Sequence, residues 1–342
     1  MRIVLATIVL VLIGLGVIMV GLQMGYMNLS LEELERRYAT SDSRFVDIDG
    51  VRMHYMDQGS GDPVLLLHAS FMNLRTWDSL AETLSASHRV VRPDVLISGL
   101  TGPEPNGEYS FERNLELVLG LMDELDIPRF SIVATSSGGI IAYRLASRFP
   151  DRVERLILVN SAGLPRTAKT NPNRARGRRS LLSWIRERYQ SPANVYGALN
   201  QNFIEPHDPP DWLVDMNYDM WRREGRREAG AAQIRSFRTG DPQAMLARIT
   251  VPTMILWGLD NQTVIHLEAD VFQHWLTAAP TLVKKYPGVG HYLYLEIPDE
   301  FERDVKAFLA GELDEQLVWQ RRLPYSSAGA TRGGSTDGMP AS

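Results

Sequence analysis

The sequence predicts an α/β protein with a mostly parallel central sheet, helices on both faces and a helical cap insertion, preceded by one N-terminal transmembrane helix. Short apolar runs of strand character alternate with amphipathic helical stretches from residue 44 to 163, and the alternation returns from residue 250 to 311. Between them, residues 164–249 show helical patterns and no clear strand, which indicates an insertion into the α/β core.

The N-terminal segment from Ile3 to Leu22 contains no charged residue. At about 1.5 Å per residue, such a helix spans about 30 Å, the thickness of a bilayer core. The run is long for a signal peptide and ends in a poor cleavage site, so we expect an uncleaved anchor. Arg2 lies before it and Arg36 and Arg37 after it, which specifies orientation only weakly. We expect the N-terminus inside and the main domain in the periplasm or otherwise outside the cytoplasm.

The remaining elements follow from local pattern. Leu31–Tyr38 after Ser30 predicts a capped linker helix, and Asp49-Gly50 predicts a hairpin turn. We expect strands at 45–48, 51–56, 64–67, 89–92, 130–134, 156–159, 253–257 and 281–286, and helices at 77–85, 110–125, 139–148, 267–276 and 299–309.

These elements predict six regions. We expect an anchor at 1–24, a linker at 25–43, the first part of the core at 44–163, the cap at 164–249, the second part of the core at 250–311, and a flexible tail at 312–342. The tail is flexible on this interpretation because its small and polar residues cannot bury enough apolar surface to order it.

Composition excludes several classes of site. With no cysteine, the chain has no disulfide, thiolate metal site or cysteine nucleophile. A formal net charge of -5 argues against a dedicated nucleic-acid binder. No histidine and carboxylate residues have the spacing of a metal site, and the sequence contains no dinucleotide-binding or P-loop motif. We therefore expect no cofactor and no metal, and the oligomeric state is left open.

A candidate nucleophile follows the strand at 130–134. A nucleophile elbow is a sharp strand-to-helix turn whose strained serine needs small residues two positions before and after it. Ala134 and Gly138 satisfy this around Ser136, and the backbone N–H of Ser137 would face a developing oxyanion. The alternative is a serine- and glycine-rich turn or phosphate-binding loop.

Two other segments supply partners for that serine. His291 follows Gly288 and Gly290 after a predicted strand, and histidine has a pKa suited to a general base. Ser70 follows the strand at 64–67, just after His68. All three segments come at carboxyl ends of predicted parallel strands, where sites in open α/β sheets lie.

Taken together, these segments resemble the α/β-hydrolase fold superfamily, in particular bacterial cap-containing serine hydrolases, over Phe45 to Leu309. The matching runs are LLLHAS, RPDVLISGLTGP, ATSSGGIIAYRLASRFPDRVERLILVNSAG, VPTMILWG and YPGVGHYLYLEIPDEF. The resemblance implies that Ser136 is the nucleophile, that His291 is its base and that Ser137 and Ser70 supply the oxyanion hole. It also implies a structural role for His68.

The acid of the triad departs from the family pattern. In the family, the Trp-Gly pair is followed by two residues and then by the aspartate. In this chain Asn261 occupies that position, and Asp260 stands one residue before it. An extra residue in the following loop would let Asp260 reach His291, so we expect Asp260, with Asn261 as the alternative. The family also usually has glycine where Ala69, Ile97 and Ala134 stand.

The resemblance implies a serine hydrolase that cleaves an ester-like acyl bond through an acyl-enzyme, a carboxylic ester hydrolase with a small-molecule or lipid-like substrate. The same triad serves carbon–carbon bond hydrolases, perhydrolases and acyltransferases. Asn261 and the substituted glycines leave a third interpretation open, a non-catalytic binding protein on a degenerate hydrolase scaffold. A run of basic residues at the start of the cap predicts either contact with anionic lipid headgroups or a solvated loop; its members are Arg166, Lys169, Arg174, Arg176, Arg178 and Arg179.

Overall fold

A central sheet organises the protein in the computed structural model, which describes residues 2–23, 28–165 and 191–319. Within these residues the sheet has nine strands in the order β1-β2-β4-β3-β5-β6-β7-β8-β9. The strands are β1 (Arg44–Ile48), β2 (Val51–Gly59), β3 (Asp62–Leu67), β4 (His88–Pro93), β5 (Phe130–Thr135), β6 (Val153–Val159), β7 (Thr253–Gly258), β8 (Pro280–Tyr286) and β9 (Val318–Trp319).

Helices connect and cover these strands. They are α1 (Arg2–Gln23), α2 (Leu31–Tyr38), α3 (Asp78–Ser85), α4 (Phe111–Glu124), α5 (Ser137–Arg148), α6 (Pro192–Asn200), α7 (Asp211–Trp221), α8 (Arg226–Ser236), α9 (Pro242–Leu246), α10 (Leu267–Trp275), α11 (Leu293–Glu296) and α12 (Pro298–Leu309). Short 3₁₀ turns lie at Leu74–Trp77, Pro150–Arg152 and Asp314–Gln316.

The sheet is parallel from β4 to β8, as expected for strands that alternate with helices. β1 and β2 form the predicted hairpin, with Ile48 opposite Val51 and Asp49-Gly50 at the turn. β2 and β9 run antiparallel to their neighbours at the two sides. The predicted α/β class is confirmed. The two-residue strand β9 was not expected, because so short a run has no detectable period.

Both faces of the sheet are apolar and covered. Along β3, Val64 and Leu66 pack into one core cluster, and Leu65 and Leu67 pack into the other on the opposite face. Alternate residues of a strand point to opposite faces, so a strand buried on both sides must be apolar throughout. β5 follows the same rule, with all its residues buried. This rigid sheet positions the loops at its carboxyl edge.

The linker helix α2 attaches to helices α6–α9, which we call the cap helices. Ser30 caps α2 by accepting a hydrogen bond from the Glu33 N–H at 3.2 Å, as predicted. Leu29 pairs with the turn between α7 and α8: its N–H donates to the Arg222 carbonyl at 2.9 Å, and its carbonyl accepts from the Glu224 N–H at 3.0 Å. Asp219 of α7 accepts from Arg37 at 2.8 Å and from Tyr38 at 2.9 Å.

Helix α1 is long and apolar enough to cross a membrane over Val4–Gly21, where mean hydropathy is 2.9 and none of the window is buried. A signal sequence near an N-terminus has the same properties. The orientation of the helix and the predicted region boundaries remain predictions. The basic run at the start of the cap and most of the tail lie outside the described residues.

Candidate active site

Ser136 lies at the turn between β5 and α5 with φ 50° and ψ −119°. A non-glycine residue adopts this region only when its surroundings force it. Three hydrogen bonds hold the backbone of Ser136. Its N–H donates to the Val159 carbonyl at 3.0 Å, and its carbonyl accepts from the N–H groups of Gly139 at 3.0 Å and Ala162 at 2.9 Å. Ser136, and not Ser137, therefore has the strained backbone at the strand-to-helix turn that the sequence analysis expected at a nucleophile elbow.

Gly138 makes the turn possible because β3 ends against it. A Cβ at this position would come within 2.6 Å of the Leu67 carbonyl oxygen and 2.8 Å of the His68 carbonyl oxygen. β3 and β5 are neighbours in the sheet, with Leu67 opposite Ala134. The small residue required two positions after the nucleophile therefore serves the packing of two adjacent strand ends.

The close approach of β3 to α5 also brings Ser70 against Ser137, the two residues predicted to supply oxyanion donors. Ser70 follows β3 and Ser137 begins α5. The Ser70 N–H donates to Ser137 Oγ at 2.6 Å, and the Ser70 hydroxyl donates to the same oxygen at 2.8 Å. The hydroxyl of Ser137 therefore occupies the Ser70 N–H, which the sequence analysis predicted as an oxyanion donor.

His291 lies in the loop after β8 and is 3% exposed. Its backbone N–H donates to the Asn202 carbonyl at 2.8 Å, and its backbone carbonyl accepts from the Asn160 side-chain amide at 2.9 Å. Glu296 closes the loop, because its carboxylate accepts from the N–H groups of Gly290 at 2.9 Å and Tyr292 at 3.0 Å. Asn160, Asn202 and Glu296 were not predicted from the sequence, since nothing in their local pattern shows that they contact this loop.

Asn261, rather than Asp260, contacts the histidine. The Asn261 side-chain amide nitrogen lies 3.0 Å from His291 Nδ1. The carboxylate of Asp260 instead accepts from the Gly288 N–H at 2.8 Å, and the residue is exposed. The expectation for Asp260 therefore disagrees with the structure. The backbone N–H of Asp260 donates to Val289 at 3.1 Å, which fixes the turn so that its side chain points away from His291.

Burial dominates the electrostatics of His291. Removal from water disfavours the charged imidazolium and lowers the pKa of His291 to about 4. Asn261 carries no charge to offset this, whereas a carboxylate would raise the pKa. The imidazole is therefore neutral at physiological pH.

A second group of polar side chains nearby is structural. Asp94 lies 2.6 Å from His54 Nδ1 and accepts from the N–H groups of Leu74 and Leu100, each at 2.8 Å. Burial opposes ionisation of Asp94, but the hydrogen bond and charge of His54 outweigh it and lower the pKa of Asp94 to about 2. His68 is fully buried, and its Nε2 accepts from the Val95 N–H at 3.2 Å. These bonds fix the loop after β4.

Ser136, His291 and Ser70 line one cavity of about 660 Å³ between the sheet edge and the cap helices. This volume is typical of a small-molecule site. Ile97 also lines it, with φ 66°, a conformation that a β-branched residue adopts only under constraint. Of the residues described, none forms a cluster of three or more histidine and carboxylate side chains able to hold a metal.

Two arginines face the same cavity from the cap side. Arg223 is 8% exposed and donates to the Gly99 carbonyl at 3.0 Å. Arg226 lies over the rings of Phe71 and Trp221, with its guanidinium carbon 5.5 and 5.8 Å from their centroids. Burial, and then the charge of Arg223, lower the pKa of Arg226 to about 10. Neither arginine forms an ion pair within the described part of the chain. Neither arginine was predicted as a site residue from the sequence.

Comparison with known proteins agrees with this architecture. The model of the alpha/beta hydrolase fold family matches residues 62–298. An uncharacterised protein of Mycobacterium tuberculosis is 34% identical over 88% of this chain and 92% of its own length. A 2-hydroxy-6-oxo-2,4-heptadienoate hydrolase of Pseudomonas putida is 28% identical over 79% of this chain and 96% of its own length.

Among solved structures, the meta-cleavage product hydrolase of Pseudomonas fluorescens IP01 is 24% identical. It superposes with a TM-score of 0.67 over 79% of this chain and 98% of its own. At this identity the similarity concerns the fold. The parallel sheet, the strained serine between β5 and α5 and the family match lead to one conclusion: the chain belongs to the α/β-hydrolase fold family.

Proposed function

We propose that the protein is a serine-dependent hydrolase that cleaves an ester-like acyl bond in an anionic, lipid-like substrate. The observation that carries this proposal is the strained backbone of Ser136, which directs its side chain into the cavity that His291 also lines. Strain of this kind persists at functional sites because the surrounding structure holds it.

The chemistry follows from the residues around the cavity. Ser136 Oγ attacks the substrate carbonyl and loses its proton, the alcohol leaves with a proton, and water then hydrolyses the acyl-serine to a carboxylic acid. The N–H groups of Ser70 and Ser137 stabilise the oxyanion, and each such donor contributes about 3 kcal/mol to the transition state. His291, which lines the same cavity, carries the proton in this scheme.

The cavity arginines support an anionic substrate. Burying a cation without an ion pair is costly, and a bound carboxylate or phosphate would offset that cost at Arg223, beside which the half-buried Arg226 adds a second positive charge. Phe71 is 58% exposed at the cavity and would contact an apolar part of the substrate. A substrate with both an anionic group and an apolar chain suits these surroundings.

The linker supports presentation of this cavity to a membrane through α1. Leu29 pairs with the turn that leads from Arg223 to Arg226, and the chain from Gln23 to Leu29 can reach about 22 Å at most. An anchored α1 would thus keep the arginine side of the cavity near the bilayer surface. We propose that α1 is an uncleaved anchor and that the main domain is extracytoplasmic.

Covalent labelling with a fluorophosphonate probe tests the nucleophile. We expect the wild-type chain to be labelled, Ser136→Ala to lose labelling completely, and Ser137→Ala to retain most of it, since only the side chain of Ser137 is removed and its N–H remains. Loss of labelling in a folded Ser137→Ala variant would contradict the assignment. A folded wild type that is not labelled even after prolonged exposure to the probe would favour the binding-protein interpretation.

A second reaction is favoured by the relatives, which include two 2-hydroxymuconate semialdehyde hydrolases from Pseudomonas as well as the heptadienoate hydrolase. In this alternative the Ser136 site hydrolyses a carbon–carbon bond beside a carbonyl, and the arginines hold the substrate carboxylate. Turnover of 2-hydroxy-6-oxo-2,4-heptadienoate compared with that of an anionic fatty-acyl ester separates the two reactions.

A further inference from the structure

The amide of Asn261 has a defined orientation. Its Oδ1 accepts from the backbone N–H groups of Thr263 at 3.0 Å and Val264 at 3.1 Å. If oxygen and nitrogen were exchanged, the NH₂ group would face two N–H donors, and both would lose their acceptor. The hydrogen bonds therefore assign Nδ2 as the atom 3.0 Å from His291 Nδ1.

This orientation determines the tautomer of His291. Nδ2 carries only donors, so Nδ1 must present a lone pair to it. In a neutral imidazole the proton then lies on Nε2, the other end of the ring. A general base for serine needs the opposite arrangement, with the proton on Nδ1 and a free lone pair on Nε2.

We propose that Asn261 holds His291 in the Nε2–H tautomer and thereby keeps the Ser136 hydrolase in a low-activity state. The inference rests on the proposed function, in which Ser136 is the nucleophile. For His291 to accept the Ser136 proton, its own proton must first move to Nδ1, where it would oppose the Asn261 N–H. Alternatively the amide must turn over and leave the N–H groups of Thr263 and Val264 unpaired. Either route adds to the barrier.

No carboxylate in the described ranges replaces the missing acid. Asp260 is held by Gly288 at 2.8 Å on the exposed side of the loop. Glu296 lies near the histidine in sequence, but its oxygens accept from three backbone N–H groups, those of Gly290, Tyr292 and Ile204. The restraint on His291 thus depends on one side-chain nitrogen.

Asn261→Asp tests the proposal with a change of one atom. One carboxylate oxygen would keep the bonds to Thr263 and Val264, and the other would accept a proton from Nδ1. With the full chain in detergent micelles, we expect Asn261→Asp to be labelled by a fluorophosphonate about 100-fold faster than wild type or more, since the reverse change in a serine protease costs about 10⁴ in rate. The matched control Asp260→Asn should keep the wild-type rate, and Ser136→Ala/Asn261→Asp should not be labelled.

Nitrogen-15 NMR of the full chain with labelled histidine side chains identifies the tautomer of His291 directly. We expect His291 of the wild type to show a protonated Nε2 and an unprotonated Nδ1, and Asn261→Asp to show a protonated Nδ1. A protonated Nδ1 in the wild type, or equal labelling rates for wild type and Asn261→Asp, would overturn the inference. Absence of labelling in both folded variants, with the tautomers as expected, would overturn the proposed hydrolase instead.

Discussion

Three non-glycine residues around the cavity have left-handed backbone conformations: Phe71 with φ 65°, Ile97 with φ 66° and Ser136 with φ 50°. Each costs of order 1–3 kcal/mol, and such residues persist only where their neighbours hold them. They follow β3, β4 and β5, whose carboxyl ends lie side by side in the sheet. At the scale of single residues, three strained positions therefore lie together at the proposed site.

His291 makes stability depend on pH. Its pKa is about 4 in the folded chain and about 6.5 when exposed, so between these values the unfolded chain binds a proton that the native chain does not. Stability should fall as pH decreases from 6.5 towards 4, with a slope of up to about 1.4 kcal/mol per pH unit from this group.

Urea unfolding of wild type and His291→Gln at pH 7 and pH 4.5 measures this contribution. Glutamine does not titrate, so the wild type should lose more stability than the variant on acidification. Equal losses in the two proteins would show that His291 is not kept neutral by burial.

At the scale of elements, the site depends on how closely β3 approaches α5. Gly138→Ala would place a methyl group against the backbone carbonyls of Leu67 and His68. These are backbone atoms that cannot rotate away, so we expect a loss of about 1–3 kcal/mol in stability and displacement of the Ser70 N–H. Unfolding measurements and fluorophosphonate labelling report both effects.

Gly197 in α6 provides the matched control. Nothing lies within 4 Å of a Cβ at this position, so the substitution adds a methyl group without a clash. Gly197→Ala should raise stability by about 0.5–1 kcal/mol because alanine favours the helix. Similar effects from the two substitutions would contradict the close approach at Gly138.

At the scale of the whole molecule, the linker joins α1 to the cap helices through Leu29 and Asp219. None of the candidate span in α1 is buried, so removal of residues 1–27 should leave the hydrolase core folded. If α1 is an anchor, the truncated chain should hydrolyse a soluble ester at the rate of the full chain.

The same truncation should slow hydrolysis of an anionic ester embedded in vesicles by about tenfold or more, because the effective concentration at the membrane is lost. Rates on both substrates, measured for both chains, test this. Equal rates on vesicles would contradict membrane presentation of the cavity.

The sequence alone predicted the α/β class, the hairpin at Asp49-Gly50 and the strand-to-helix turn at Ser136, and the structure contains all three. Apolar period, glycine placement and chain order are local properties that can be read without coordinates. The loops after other predicted strands pointed to His291 and Ser70, the resemblance gave them roles beside Ser136, and the structure brings all three to one cavity.

The tertiary structure decided which side chain meets His291 and what faces the cavity. Asp260 and Asn261 are adjacent in sequence, and only the bonds of Asp260 to Val289 and Gly288 turn the carboxylate away. Arg223 became a site residue because Leu29, far away in sequence, fixes its turn. Side-chain direction in a loop depends on contacts between distant segments, and local sequence contains no record of those contacts.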